Sequence, residues 1–531
     1  MEIRKHSMFW RGAIILTLSG LIMKVLSAFY RIPYQNIAGD IGFYIYQQVY
    51  PLYGISLVLA TYGFPVVISK LVASRFEKGD QRGVEGVIFV SFWFLMIGGA
   101  CLFLIIFLGA DYIGFLMGDR KLGILLKVVA FSFLFMPFLS TARGYFQGIG
   151  NMTPTAVSQV AEQSVRVGVI IVLSLILVSA GFDIYIVGAG AMFGSAAGAA
   201  IGVAILVYFL RKDIKRIFSR GREDIPDKAL IVKLVFWQGI AICISNLSLI
   251  LIQLIDSVSL YKLLVMTGLT GHEAKVLKGV YDRGMPLIQL GTVAATAFSL
   301  PLIPLITGAR TRGDKAFIQE KVQLAMKITL IIGLAASAGL ICIIRPTNIM
   351  LFQNNSGSNI LALLAVSILF SAFSITSASI LQGLGNTTLP AFFTFIGAAV
   401  KYAGNILLVP GMGAKGAAIA TVSALFSIAA LNTIAVMRRV HHPIVSWSIA
   451  GRIVFSCFGM VLIVIIYTYI FENIFPVFYV HHRAVASLEA LTAVTIGGIA
   501  YIFLIFKLRV FTNEELGAVW KGGKIPLIFR R

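Results

Sequence analysis

The chain has 531 residues, of which 58% are hydrophobic and only 12% are charged, and its mean hydropathy is +0.92. Soluble domains carry roughly 25% charged residues, so this composition excludes a soluble globular enzyme and indicates an integral membrane protein. The formal net charge of +22 would suggest nucleic acid as a partner of a soluble protein, but here the basic residues concentrate in short loops between apolar runs, which argues against a nucleic-acid partner.

Apolar runs that approach or exceed the roughly 20 residues needed to cross a bilayer follow one another along the chain. They predict an all-α polytopic membrane protein with about 14 transmembrane helices. The predicted spans 1 to 14 cover 9–30, 43–69, 86–109, 122–142, 154–180, 184–210, 230–260, 281–307, 318–344, 359–383, 389–409, 414–437, 446–471 and 484–507. Because no small-residue cleavage site follows the basic start, we interpret the first run as a retained span.

The chain contains an internal duplication. Residues 147–151, Gln-Gly-Ile-Gly-Asn, recur as Gln-Gly-Leu-Gly-Asn at 382–386, and Pro51 recurs as Pro286. Like-oriented repeats in an apolar chain are typical of transporters. We therefore expect two pseudo-symmetric six-helix lobes around a central cavity. The predicted division is an N-lobe at 1–210, a basic cytoplasmic linker at 211–229, a C-lobe at 230–437, and spans 13 and 14 with a cytoplasmic tail at 438–531.

Lysine and arginine fall mainly on one side of this predicted topology. One side carries 27 of them and the other carries 9, and the positive-inside rule then places both termini in the cytoplasm. The other eight lie within or at the edges of spans: Lys24, Lys127, Arg166, Lys233, Arg283, Lys327, Lys401 and Arg452. They outnumber the four acids inside spans, and an interior with surplus positive charge favours an anionic guest such as a phosphate.

Span 1 carries two of the candidate binding residues. Lys24 and Arg31 are seven residues apart, which places them on one helical face. One interpretation is a cationic stripe that lines a cavity and ends at the external mouth. The alternative is that Lys24 pairs with a helix end or another span and that Arg31 only anchors the helix at the membrane interface. Asp40, in the predicted external loop, is a candidate partner of Arg31.

Span 8 opens with Asp282 and Arg283, just before Pro286. Neighbouring residues on a helix point about 100° apart, so the two side chains are not expected to neutralise each other fully. A planar guanidinium suits bidentate phosphate binding, which makes Arg283 the strongest candidate for a phosphate ligand. The alternative is that it only reaches external lipid headgroups. Asp40, Asp282 and Gln48 complete the candidate substrate-binding set.

Two further pairs are candidates for gating or coupling. Glu162 and Arg166 lie at positions i and i+4 of span 5, which predicts a self-satisfied structural pair or, alternatively, a gate. Asp256 and Lys401 belong to the same predicted lobe and are candidates for a pair, through which protonation or cation binding at Asp256 would couple to conformation. Separate interface or helix-end roles are the alternative.

The repeated glycines lie at the cytoplasmic ends of spans 4 and 10. We interpret Gly148, Gly150, Gly383 and Gly385 as structural hinges, because glycine permits a tight turn and the motif lacks the Lys-Ser/Thr of a phosphate-binding loop. The four cysteines are far apart and lack metal-ligand spacing, so neither a disulfide nor a metal site is expected. No cofactor is predicted beyond a possible coupling ion, Na⁺ or H⁺, or the membrane potential.

These motifs carry a family resemblance. The segment 64–73, Phe-Pro-Val-Val-Ile-Ser-Lys-Leu-Val-Ala, and the glycine turn at 147–151 resemble the multidrug/oligosaccharidyl-lipid/polysaccharide (MOP) exporter superfamily. Within it, the chain resembles the polysaccharide-biosynthesis branch that includes stage V sporulation protein B-like proteins and lipid II flippases. The resemblance implies alternating access around a V-shaped cavity lined by spans 1, 2, 7 and 8. Lys24, Arg31 and Arg283 match the cationic cavity residues of the flippases, and spans 13 and 14 match their groove for a lipid tail.

Two departures qualify the resemblance. Span 2 has Gln47 and Gln48 where a lipid II flippase carries another arginine, which weakens the assignment of lipid II itself. Span 1 lacks the acidic residue that multidrug exporters use for sodium or protons, which argues against drug antiport.

The resemblance implies a flippase that moves a polyprenyl-pyrophosphate-linked sugar precursor, similar to lipid II, across the bacterial plasma membrane. The pathway would be cell-wall, spore-cortex or other polysaccharide synthesis, and the expected partners are the lipid substrate and the bilayer, with the protein acting as a monomer. The alternatives are a cation-coupled multidrug exporter of the same fold, a membrane glycosyltransferase or polymer ligase, which usually needs a longer external loop, and a non-transporting scaffold, which would not need buried lysine and arginine.

Overall fold

The computed structural model describes residues 16, 18–211, 213, 227–299, 301–441, 444–474, 483–512 and 515. Within these ranges, fourteen helical segments are long and apolar enough to cross a membrane, which confirms the predicted fold class. The grouping of the segments differs from the prediction in two places. Spans 1 and 2 form one helical segment, Leu18–Phe76, and span 7 consists of two helices. Most of the predicted linker and of the C-terminal tail lies outside the described residues.

The first half of the chain contains spans 1 to 6. Residues 18–29 are helical, and the next helices are Arg31–Val58 and Phe64–Phe76, joined by the π-helical turn Leu59–Gly63. Spans 3 to 6 are then Gln81–Leu108, Gly123–Gly148, Thr153–Ser179 and Ile184–Leu210, with short helices at Ala110–Leu116 and Arg120–Leu122 before span 4.

The second half repeats this order and adds the last two spans. Span 7 comprises Lys228–Asn246 and Ser248–Met266, and span 8 is divided into Gly271–Asp282, Gly284–Gly291, Val293–Ser299 and Leu302–Thr311. Spans 9 to 14 are Lys315–Cys342, Ser358–Gly383, Thr388–Met412, Ala414–Val440, Trp447–Ile474 and Arg483–Lys507, with a short helix at Ile344–Phe352 before span 10.

The connections at the predicted external end are shorter than the sequence predicts. The expected loop between spans 1 and 2 is reduced to a kink at Gly39, whose φ of +68° only glycine adopts without strain. Span 8 begins at Gly271 rather than at residue 281, because Thr270 and Glu273 form a capping box that starts the helix earlier. Lys275 and Lys278 therefore lie on the helix and not in a loop.

The duplicated motifs adopt duplicated structures. Asp80 and Asp314 cap spans 3 and 9 by accepting hydrogen bonds from the backbone N–H three residues later, at 2.8 and 3.0 Å. The preceding Gly79 and Gly313 have φ values of +71° and +72°. Because independent sequences would not be expected to place the same cap and the same left-handed glycine at an offset of 234 residues, these matches support the internal repeat.

The two halves pack against each other most closely along spans 2 and 7. A Cβ built on Gly63 would lie 1.8 Å from the sulfur of Cys243, and one built on Gly239 would lie 2.5 Å from the ring of Phe64. Glycine at these positions lets the helices approach where any larger side chain would separate them. At the predicted external end, a buried cluster joins tyrosines of span 2 to Tyr281 and Met285 of span 8.

Spans 13 and 14 pack on each other and on span 9. The hydroxyl of Tyr501 donates a hydrogen bond of 2.9 Å to the carbonyl of Ile331. Lys327 of span 9 binds Glu515 beyond span 14 at 2.6 Å, so this intramembrane lysine is neutralised. Partial burial alone would raise the pKa of Glu515, but the hydrogen bonds from Lys327 and Thr512 hold it below its ordinary value.

Candidate functional site

Arg283 connects the two halves at the predicted external end. Its Nη2 lies 2.6 and 2.7 Å from the two carboxylate oxygens of Asp40, and its Nε lies 2.9 Å from one of them. Nη1 donates to the side-chain oxygens of Asn348 and Asn354 at 3.3 and 2.8 Å. The candidate Arg31–Asp40 pair is not formed, because Asp40 binds Arg283 instead. The kink at Gly39 turns Asp40 toward span 8.

A second pair joins the halves nearby. Lys275 of span 8 lies 2.8 Å from Asp119 in the loop before span 4, and it also donates to the hydroxyl of Tyr185 at 2.6 Å. The Tyr185 hydroxyl in turn donates to Asp119 at 2.5 Å. This contact was not predicted, because Asp119 and Lys275 both lie in external loops of the predicted topology.

These contacts close the predicted external end between the halves. In both ion pairs the first half supplies the acid and the second half supplies the base. The backbones also meet there, because a Cβ on Gly279 would lie 2.1 Å from the carbonyl oxygen of Asp40. We call the pairs Asp40–Arg283 and Asp119–Lys275 the external gate.

Lys24 and Arg31 both lie between the halves or at their edge, but in different surroundings. The Lys24 ammonium donates to the hydroxyl of Thr296 of span 8 at 2.8 Å. The Arg31 guanidinium lies over the ring of Tyr50 at 4.2 Å, is 1% exposed, and leaves its Nε without a hydrogen-bond partner. Among the described residues, neither side chain forms an ion pair with a carboxylate.

Arg166 lies on the other side of the same tyrosine cluster. Its Nη2 donates to the hydroxyls of Tyr30 and Tyr46 at 2.8 and 2.9 Å, and its guanidinium also faces the ring of Tyr50 at 5.7 Å. Arg31 and Arg166 therefore contact the same ring, and within the described ranges neither has an acidic partner.

The predicted Glu162–Arg166 pair is wrong. Glu162 binds Arg143 instead, at 2.6 Å, and both side chains are buried. Arg143 also donates to the carbonyl of Ala60 and to the hydroxyl of Ser158, each at 3.3 Å. Span 4 extends to Gly148 and not only to residue 142, which places Arg143 within the helix bundle opposite span 5.

The second half neutralises its buried bases in pairs. Asp256 lies 2.7 Å from Lys401, so the pair that the sequence raised as a candidate is formed. Asp282 lies 2.9 Å from Lys278 one turn earlier, so it leaves Arg283 to other partners, in agreement with the helical geometry. The role of these residues in coupling remains a prediction.

Gln48 and the repeated glycines hold helices together. Gln48 donates to the carbonyl of Ser257 of span 7 at 3.1 Å, across the two halves. A Cβ on Gly148 would lie 2.6 Å from Val72 of span 2, and one on Gly383 would lie 2.9 Å from Ile306 of span 8. Gly150 and Gly385 have φ values of +81° and +83°, which end the two helices in the same turn.

The buried charges are distributed unevenly. Lys278, Arg283 and Lys401 of the second half are each paired with a carboxylate, as is Arg143 of the first half, whereas the half-buried Lys24 and the buried Arg31 and Arg166 of the first half lack one within the described part of the chain. A small apolar pocket of about 100 Å³ lies between spans 3, 4 and 6 and includes none of these residues. The unneutralised charge therefore lies in the first half, beside the contact with the second.

The profile of the family described as polysaccharide biosynthesis protein matches residues 9–310, which is more than half of the chain. The chain belongs to this family. It is thereby a member of the MOP superfamily of membrane transporters, which confirms the resemblance drawn from the sequence.

Relatives of this polysaccharide biosynthesis family member match it over 81–99% of its length. It is 42% identical to the membrane protein YabM of Bacillus subtilis strain 168, whose function is uncharacterized, over 99% of this chain and 98% of YabM. It is 27% identical to the lipid II flippase MurJ of the same organism, over 98% of each chain. Stage V sporulation protein B of that organism is 26% identical over 81% of this chain and 84% of its own length.

Solved structures share the fold at lower identity. The family member matches the lipid II flippase MurJ in an inward closed conformation with a TM-score of 0.67 and 13% identity, over 93% of this chain and 99% of that one. It matches an inward-facing multidrug resistance transporter of the MATE family with a TM-score of 0.63 and 20% identity, over 81% and 98% of the two chains. These likenesses establish the fold alone.

Proposed function

We propose that the protein is a flippase for a polyprenyl-pyrophosphate-linked sugar precursor, similar to lipid II, in the bacterial plasma membrane. The pyrophosphate and sugar cross between the two halves, and the polyprenyl tail stays in the bilayer. The lipid-linked product serves cell-wall, spore-cortex or other polysaccharide synthesis. The relatives MurJ and stage V sporulation protein B support this pathway class.

The observation that carries the proposal is the uncompensated positive charge of the first half. A buried cation without a carboxylate is costly unless an anion or water approaches it. The half-buried Lys24 donates to one hydroxyl at 2.8 Å, and the buried Arg31 is hydrogen-bonded to Tyr30 but leaves its Nε without a partner. Neither forms an ion pair with a carboxylate of the described residues. A pyrophosphate supplies two or more negative charges and strong acceptor oxygens, so it satisfies both side chains.

Arg283 takes part in a later step of the proposed transport cycle, the release of the substrate. In the present conformation Asp40 and two asparagines occupy its donors. When the external gate opens, the guanidinium separates from Asp40 and becomes available to the pyrophosphate. The ligand then moves from Lys24 and Arg31 toward Arg283 and out to the external leaflet. The same residue thus closes the gate and binds the departing anion.

Topology and energy input are parts of the same proposal. Both termini lie in the cytoplasm, so the gate faces outward, and the protein acts as a monomer with a lobe on either side of the pathway. Moving one elementary charge across the membrane is worth about 2.3 kcal/mol per 100 mV, so the membrane potential favours outward movement of an anionic headgroup. The buried cations and the absence of an acid in span 1 disfavour the cation-coupled drug exporter.

The test is complementation of a bacterial strain depleted of its own lipid II flippase. We expect growth with the wild type and no growth with Arg31→Ala. Arg120→Ala is the matched control, because Arg120 also lies over an aromatic ring, Phe115 at 5.0 Å, but is exposed outside the proposed pathway. Immunoblots of membranes establish that each variant is present at the wild-type level.

The outcomes separate the parts of the proposal. Growth with all three proteins would show that Arg31 does not bind the substrate. No growth with any of them, at normal protein level, would exclude lipid II as the substrate. Native mass spectrometry of the purified protein with a polyprenyl pyrophosphate then decides whether another lipid-linked sugar remains possible. We expect binding by the wild type and at least about tenfold weaker binding by Lys24→Ala, since each charge-assisted contact contributes about 1.5–3 kcal/mol.

A further inference from the structure

The ammonium of Lys401 lies inside a shell of oxygen atoms. Its Nζ is 2.7 Å from Oδ1 of Asp256, 2.8 Å from Oγ1 of Thr421, 2.9 Å from the carbonyl of Ala417 and 3.3 Å from the hydroxyl of Tyr281. The Lys401 side chain is fully buried, and Asp256 is 2% exposed.

This shell has the chemistry of a monovalent cation site. A carboxylate, a main-chain carbonyl and two hydroxyls are hard oxygen donors, which suit an alkali cation as well as an ammonium. Neighbouring groups fix the shell. Tyr281 donates to the second oxygen of Asp256 at 2.8 Å, and Asn405 donates to the first at 2.9 Å. The carboxylate is thus held in place independently of the lysine.

Lys278, another buried lysine of the second half, differs in this respect. Lys278 is also buried and paired, with Asp282 at 2.9 Å, but the structure gives it no other oxygen partner in the described chain. A simple ion pair of this kind does not form a coordination shell, so Lys278 provides a comparison within the same half of the protein.

The internal repeat places a cation at the equivalent position of the first half. Arg166 and Lys401 are 235 residues apart, and so are their tyrosine partners Tyr46 and Tyr281. Arg166 contacts the Tyr46 hydroxyl at 2.9 Å. Each half thus keeps a covalently attached positive charge. In the first half it lies between spans 5 and 2, and in the second half it lies between spans 11 and 8. Among the described residues, the second half alone adds a carboxylate and a carbonyl around that charge.

We propose that Lys401 is a tethered cation that permanently fills an alkali-cation site in the second half of the protein. The wild type therefore binds neither Na⁺ nor K⁺ there, and its transport cycle runs without a soluble coupling ion at this site. Shortening the side chain opens the shell, and the uncompensated carboxylate of Asp256 then takes up a monovalent cation. The proposal concerns this site alone and does not depend on which lipid is transported.

The experiment measures the thermal stability of purified full-length protein in detergent. Lys401→Ala and wild type are compared in NaCl, in KCl and in choline chloride at equal ionic strength, since choline is too large for the shell. We expect no difference between salts for the wild type. For Lys401→Ala we expect a melting temperature at least about 3 °C higher in about 150 mM NaCl or KCl than in choline chloride, because ligands that bind only the folded state raise its stability.

Lys278→Ala is the matched control. It removes an equally buried ammonium from an equally buried acid, and we expect a lower melting temperature that is the same in all three salts. A similar rescue of Lys278→Ala by Na⁺ or K⁺ would show that the effect is general charge compensation, and would overturn the proposal. A salt-specific response of the wild type, or the absence of one in folded Lys401→Ala, would also overturn it.

Further variants cover the case in which Lys401→Ala does not fold. Lys401→Gln keeps most of the side-chain volume without the charge, and the same salt dependence is expected. If neither variant folds in any salt while Asp256→Asn/Lys401→Gln does, the charge of Lys401 is required but no free cation replaces it. That result would contradict the proposal. Salt-dependent folding of the single variants, with no salt dependence of the double variant, would support it.

Discussion

Most buried charged side chains in this helix bundle pair with an opposite charge. The sequence predicts only some of these pairs. The pair Asp256–Lys401 was accessible from the sequence, because both residues stand alone in apolar spans and each needs a partner. The choice between Arg143 and Arg166 as the partner of Glu162 was not accessible in the same way. The i, i+4 spacing favours Arg166, but the tyrosines of spans 1 and 2 bind that side chain instead.

The missing signal for Arg143 was the length of span 4. The glycine turn at 148–150 marks where the helix ends, so a helix that extends to Gly148 was a consistent interpretation of the same motif. Asp40 illustrates a different limit. Its partner Arg283 lies 243 residues away, and the contact depends on how the two halves meet, which local patterns do not encode.

The Arg143–Glu162 pair gives the prediction at this scale. Glu162→Gln leaves the buried Arg143 guanidinium without its counter-charge, which costs about 3–5 kcal/mol when one partner of a buried pair is removed. We expect a clear drop in the apparent melting temperature, measured by fluorescence-detected size-exclusion chromatography after heating.

The control for that measurement is Glu472→Gln. Glu472 faces Arg345 at 3.6 Å, and about half of each side chain is exposed. Surface pairs of this kind contribute roughly 0–1 kcal/mol, so a small or absent shift is expected. Equal shifts for the two variants would mean that burial of the Arg143–Glu162 pair does not determine its contribution.

The positions of the helices were predicted better than the pairing of individual residues. The apolar runs located the membrane-crossing helices, since a bilayer requires a continuous hydrophobic segment, although spans 1 and 2 form one segment and span 7 forms two. Their ends were less accurate where a helix continues past the membrane, as at Gly271 before span 8. The break of span 7 at Leu247 was not predicted either, because no proline or glycine marks it.

The repeated glycines give the prediction for helix packing. Gly148→Ala places a Cβ 2.6 Å from Val72 and 2.9 Å from the carbonyl of Ser69, so spans 2 and 4 must move apart. We expect a lower melting temperature, and the same change at Gly383, where the Cβ meets Ile306 at 2.9 Å, should lower it as well.

Gly168→Ala is the corresponding control. Gly168 lies inside span 5, and nothing is within 4 Å of a Cβ built there. Alanine is favoured over glycine in a helix by about 1 kcal/mol, so this variant should be unchanged or slightly more stable. A loss of stability at Gly168 equal to that at Gly148 would show that helical glycines act through flexibility rather than through close packing.

The whole molecule is a duplicated bundle whose two halves are closed against each other at one end. The repeat predicts two similar halves, but it does not predict the conformation, because both states of a rocking transporter use the same helices. The sequence also does not show which half supplies the acids of the gate pairs and which supplies the bases. Each acid comes from the first half and each base from the second, so separating the halves breaks both pairs at once.

In the proposed transport cycle the gate is a two-state element, and a single charge biases it. Asp40→Asn removes the negative charge opposite Arg283 and leaves Asp119–Lys275 as the remaining ion pair of the external gate. We expect a shift toward an outward-open state. The measurement is labelling of Gln48→Cys, in a background without the four native cysteines, by a membrane-impermeant maleimide added to intact cells.

The buried position of Gln48 makes this labelling sensitive to the gate. Its side chain is fully buried and bonded to the carbonyl of Ser257 across the two halves, so the introduced thiol reacts only when they separate. We expect at least about tenfold faster labelling in Asp40→Asn, since removing one buried, charge-assisted interaction shifts the equilibrium by about 1.5–3 kcal/mol. Exchange of the charges in Asp40→Arg/Arg283→Asp should restore slow labelling. Asp111→Asn breaks the exposed pair with Lys127 and should have no effect. If Asp40→Asn labels no faster than Asp111→Asn, the two halves are not held together by Arg283 and Asp40, and the gate must be assigned to other contacts.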